Sequence, residues 1–194
     1  MDKTMKNRWI ASAVAMVALL GLSCSSELAN SGSSVHLLVT NQQARQQIDI
    51  EPEAAGCDPA NTSIAPIRLQ ALPKNDTVTG AFTQVRITRY RVSYVRTDGG
   101  RATPTGFVRS TDTLLDVGGA ATGTNLVVLQ PDARNQAPFA ALLPNNGGRD
   151  PDTGRSVVQL DVIVEVFGET LAGDNVYGAT RFPLTFCYHC NGCF

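Results

Sequence analysis

Three thiols and an imidazole lie within seven residues near the end of the chain, in Cys187-Tyr188-His189-Cys190-Asn191-Gly192-Cys193. Thiolate and imidazole donors suit zinc or copper, and two cysteines separated by two residues have the spacing of thiol redox centres. Structural zinc sites draw paired ligands from two separated loops, and here there is one group only. Haem attachment needs a histidine directly after the pair, but Asn191 follows Cys190 and Phe194 follows Cys193. A reactive thiol needs a helix N-terminus or a cation beside it, and this pair lies at the very end of the chain. Disulfides are the simpler chemistry. Setting Cys24 aside, Cys57, Cys187, Cys190 and Cys193 remain, an even number that permits three pairings. The expected pattern ties Cys57 to the cluster and places one bond inside it. Cys57 sits in a turn-like Ala55-Gly56-Cys57-Asp58-Pro59, so that bond would staple the chain's end to its first third. Closing so long a loop is worth about 4 kcal/mol on chain-entropy grounds. No metal and no cofactor is assigned.

A second chemical feature is the arginine stripe Arg86, Arg89, Arg91 and Arg96 in segment 83–97. Val85 and Ile87 share one parity, whereas Tyr90, Val92 and Tyr94 share the other. One β-bulge near Thr88 reconciles the two, since an extra residue switches the face of a strand. It also gathers Arg86, Arg89 and Arg91 on the outer face as a candidate binding surface for an anionic polysaccharide or lipid headgroup. The competing and preferred assignment is an ion-pair ladder. If this strand lies beside 156–168, Asp161 and Glu165 are its partners, each pair contributing a few tenths of a kcal/mol or more.

Catalysis finds little support. His36 and His189 are the only histidines, and no Gly-x-Ser-x-Gly elbow exists. Asp161 and Glu165 are roughly 13 Å apart along a strand, beyond the roughly 5–9.5 Å of glycosidase carboxylates. Asp150 and Asp152 have a spacing used in calcium loops, but the distal bidentate Glu is missing, and turn formation explains the residues around them. No enzyme is expected. A formal net charge of −1 gives no reason to expect a nucleic-acid partner, and 43% hydrophobic residues exclude a disordered chain.

The elements that must position these groups read as strands. Short apolar or alternating runs cover 35–39, 47–51 and 64–72, and 83–97 is longer. Weaker candidates are 105–108 and 114–117, and 125–130 is compact and apolar. The run 136–143, with Pro138 near its start, reads as one or two helical turns. Segment 156–168 carries Val158, Leu160, Val162, Val164 and Val166 on one parity, and 176–187 returns after a turn. No helical pattern of ten or more residues follows residue 24. Seven or eight strands predict an all-β antiparallel sandwich. The pattern resembles an immunoglobulin-like or fibronectin-type domain, with a partly closed barrel as the alternative.

The N-terminus carries Lys3, Lys6 and Arg8, then an apolar run from Trp9 to Leu22 that ends in Gly21-Leu22-Ser23-Cys24. This is the build of an export signal. It is too short for the roughly 20 residues of a membrane-spanning helix. The cysteine after small residues resembles a bacterial lipoprotein signal, although Gly21 and Leu22 depart from its preferred residues. The resemblance implies cleavage of 1–23, lipidation of Cys24, and a cell-envelope location that Ser25 assigns to the outer membrane. Residues 24–34 read as a flexible tether and 35–194 as the sandwich domain. The expected role is that of a non-catalytic envelope lipoprotein, structural or adhesive. It is held to the membrane by its lipid and contacts another envelope protein, copies of itself or a surface glycan through loops 98–106 and 145–155 or the arginine stripe. The alternative is a metal-binding or thiol redox protein using the C-terminal cluster.

Overall fold

The computed structural model describes residues 32–42, 47–51, 64–75, 82 and 84–190. Cys24, Cys57 and Cys193, the signal and most of the tether lie outside the described residues. Eight strands follow in order: β1 (Val35–Asn41), β2 (Gln47–Asp49), β3 (Ile64–Pro73), β4 (Val85–Arg96), β5 (Phe107–Leu115), β6 (Thr122–Val127), β7 (Val157–Thr170) and β8 (Asn175–Cys187). They form a three-stranded sheet, β1-β3-β6, and a five-stranded sheet, β2-β8-β7-β4-β5. The fold is all-β, and the five-stranded sheet curls like half a barrel.

Strict alternation builds the centre. Val158, Leu160, Val162, Val164 and Val166 of β7 all point inward at 0% exposure. Tyr90, Val92 and Tyr94 of β4 and Phe182, Leu184 and Phe186 of β8 bury beside them. Leu37 and Val39 of β1 and Ile67, Leu69 and Ala71 of β3 join the same core. Burying each large aliphatic or aromatic side chain stabilises the fold by about 1.5–3 kcal/mol. The two sheets approach closely at Gly178 of β8, where an added Cβ would lie 2.5 Å from the Leu37 carbonyl oxygen of β1.

Three expectations need correction. One strand pair, β2 with β8, is parallel, so the five-stranded sheet is mixed. Nearly the whole domain separates these two strands in sequence, and no hairpin dictates their direction. The separate runs 105–108 and 114–117 are one edge strand, β5. Its central Arg109 to Thr113 is polar because it borders solvent, which hides the continuity. The run 125–130 is displaced, since β6 ends at Val127 and Val128 and Leu129 bury beyond the sheet. Segment 136–143 carries a helical turn as expected, of 3-10 form at Phe139–Leu142, whose Phe139 ring packs 4.4 Å from that of Phe186.

Candidate functional site

The bulge lies where the parity change places it. Pairing of β4 with both β5 and β7 slips between Ile87 and Arg89, which leaves Arg86, Arg89 and Arg91 exposed on one outer face. Each has a different environment. Arg86 grips Asp112 of β5 with two bonds of 2.9 Å, both partners being exposed. Arg91 stands opposite Glu165 in register and donates to it at 2.5 and 2.7 Å, while the Tyr177 hydroxyl adds a third bond at 3.1 Å. The Arg91 hydrogen bond is the main reason the Glu165 carboxyl lies below its ordinary value. Arg89 forms no salt bridge among the described residues, and its guanidinium lies 5.2 Å from the centre of the Phe167 ring.

The expected ladder is therefore correct for Glu165 and wrong for Asp161. Asp161 faces Val95 on β4, which offers no cation, and pairs instead with Arg181 of β8 at 2.6 Å. Beside the bulge, Thr88, Arg89, Phe167, Glu169, Asn175 and Tyr177 line an open cavity of about 460 Å³. The Phe167 and Tyr177 rings meet there at 5.3 Å. This cavity combines one unpaired guanidinium, two aromatic faces and several hydrogen-bonding side chains. Such a combination suits a polar ligand with an apolar face.

The fourth arginine behaves differently. Arg96 is 3% exposed, and its partners Asp98 and Asp150 are both at 0%. It donates to Asp98 at 2.7 and 2.8 Å, to Asp150 at 2.9 Å and to the Ala102 carbonyl at 2.9 Å. Asp98 also accepts from the Gln159 and Gly100 N–H groups, and Asp152 accepts from those of Arg101 and Ala102. Loops 98–106 and 145–155, expected to be open to partners, are bound to each other through these carboxylates. Asp150 and Asp152 turn to protein donors instead of converging on a shared centre. The sequence held one signal for this network, Arg96 two residues before Asp98 at a turn. The stripe of exposed arginines around Arg96 masked it.

At the C-terminal cluster, Cys187 and Cys190 are joined, so these two sulfurs are not available as thiolates. The residue that shapes this end is Asp49 of β2, fully buried and missed by sequence reasoning. It accepts from the N–H groups of His189 at 3.2 Å, Cys190 at 2.8 Å and Glu51 at 2.9 Å. His189 stacks on Tyr188 and reaches Glu51 at 3.1 Å. Among the described residues no three His, Cys, Asp or Glu side chains gather as a metal site. His36 lies exposed on β1, remote in register from all of these groups. Compared with known proteins, the chain matches no family model, no curated sequence and no solved structure.

Proposed function

We propose that this chain is a non-catalytic, lipid-anchored protein of the bacterial cell envelope, with a single β domain in a structural or binding role. The observation that carries the reading is the leader ending in Ser23-Cys24. The Cys187–Cys190 bond supports it independently, because disulfides persist in oxidising compartments outside the cytosol. Strand order supports an immunoglobulin-like or fibronectin-type sandwich. In this arrangement β1-β3-β6 faces β8-β7-β4-β5, and β2 crosses to the edge of the second sheet. Among the described residues no ladder joins β2 to β5, which favours a sandwich over a closed barrel.

With Arg86 and Arg91 paired, the candidate binding role of the stripe narrows to Arg89 and the cavity beside it. Partners of this reading are another envelope protein, further copies of the chain or an acidic surface glycan. The test of location is an intact mass on unreduced protein extracted from membranes. Loss of residues 1–23 and an acyl-glyceryl group on Cys24 are expected, and an unmodified Cys24 overturns the anchor. The test of the cavity is Arg89→Glu. Lost glycan or cell-surface binding with unchanged stability assigns the role to Arg89; unchanged binding leaves Arg89 a purely structural cover for Phe167.

A further inference from the structure

We infer that β5 is a self-complementary edge, through which two copies of the chain pair antiparallel about a two-fold axis at Thr111. This gives one of the partners proposed above a defined surface, and it rests on that reading only for the partner class. Strand β5 ends the five-stranded sheet, and among the described residues no strand or loop backbone bonds to its free side. It spans nine residues, against three for β2 at the opposite edge. An edge of this length is ordinarily blunted by charged side chains, Pro, a bulge or a covering segment. Phe107–Leu115 has no Lys or Pro, and of its two charges, Arg109 and Asp112, the second is already held by Arg86.

The sequence of the strand is close to palindromic in character. Pairing about Thr111 sets Phe107 opposite Leu115, Val108 opposite Leu114, Arg109 opposite Thr113 and Ser110 opposite Asp112 of the second copy. Val108 and Leu114 are 59% and 53% exposed on the outer face, where water gives neither a partner. In this register each covers the other, and such apolar cross-strand pairs stabilise a sheet. No like charges stand directly opposite. The one diagonal repulsion, Asp112 against its own copy, is already neutralised by the two bonds from Arg86. The register slip of β5 against β4 falls around residues 110–113, at the axis, so symmetry is kept and the two arms remain free to pair. Tethering to a membrane would raise the effective concentration and favour a contact of modest size.

Disulfide trapping with the full chain in the membranes of the producing cells tests the register. Under mild oxidant, Thr111→Cys should give covalent dimers at least ~10-fold above Val108→Cys. The two-fold places residue 111 against itself, but sets the two copies of residue 108 roughly 20 Å apart. Adding Val108→Lys to Thr111→Cys should return the yield to that of the wild-type chain. Should Thr111→Cys fail to accumulate, co-expressed Val108→Cys and Leu114→Cys chains report the same register through mixed dimers. Equal yields for the single variants, or none above wild type, overturn the pairing. The mass at Cys24 is read on the same samples. Trapped dimers of an unacylated chain sink the anchor alone, and anchored chains without dimers sink the pairing alone.

Discussion

Arg96 differs from the other arginines of β4 in what happens when it is removed. Its side chain is the counter-charge of two carboxylates that water does not reach. Replacement by Ala leaves Asp98 and Asp150 buried without it, a loss of about 3–5 kcal/mol. Arg91 is half exposed, and Arg91→Ala should cost about 1 kcal/mol or less. Urea midpoints at unchanged slope measure both. The same pair makes stability sensitive to acid. Burial by itself raises the Asp98 carboxyl, but the Arg96 guanidinium and the N–H groups of Gln159 and Gly100 outweigh it and hold it at about 2, against 3.8 ordinarily. A carboxyl depressed by folding contributes stability above its unfolded value and loses it as pH falls through the folded one. Unfolding free energy should therefore drop between about pH 4 and pH 2, and Arg96→Ala should flatten that part of the curve. Urea titrations at successive pH values decide it.

Among the elements, β1 and β8 meet at a point with no room for a side chain. Gly178→Ala puts a methyl group 2.5 Å from the Leu37 carbonyl and into contact with Val39, and separating the sheets there should cost about 1–3 kcal/mol. A thermal or urea midpoint close to wild type would show that the strands slide apart freely. This contact was invisible in the sequence, where Gly178 reads as an ordinary break in alternation. Much else was legible. The valine parity of 156–168 gave the central strand, and the switch from Ile87 to Tyr90 located the bulge to the residue. Local alternation carries such information because each side chain reports its own face. What failed was non-local or at a border. Strand β2 takes its direction from β8 far along the chain, Asp161 finds its cation diagonally on β8, and β5 is too solvated to show a pattern. Asp49 gave no sign because the N–H groups it accepts from, those of His189 and Cys190, lie about 140 residues away.

For the molecule as a whole, the Cys187–Cys190 bond closes a loop with a sequence separation of 3, and so short a loop contributes about 2 kcal/mol by chain entropy. Replacing both cysteines by alanine should lower Tm by roughly 4–8 °C. Calorimetry showing no shift would assign the cohesion of this end to Asp49 alone. The outer face of the five-stranded sheet has a further consequence. Arg86, Arg91 and Arg181 each lie against a carboxylate, and the chain's formal net charge is −1. Their fields cancel within a few ångströms, less than the roughly 8 Å over which physiological salt screens charge. Arg89 is left as the one arginine of this stripe without a salt bridge among the described residues. A partner approaching this face therefore meets at most a single uncompensated charge and little long-range steering. Capture should proceed at the unsteered rate of about 10⁵–10⁶ M⁻¹s⁻¹ and change little with ionic strength, so that fit at contact, and not attraction at a distance, selects what stays.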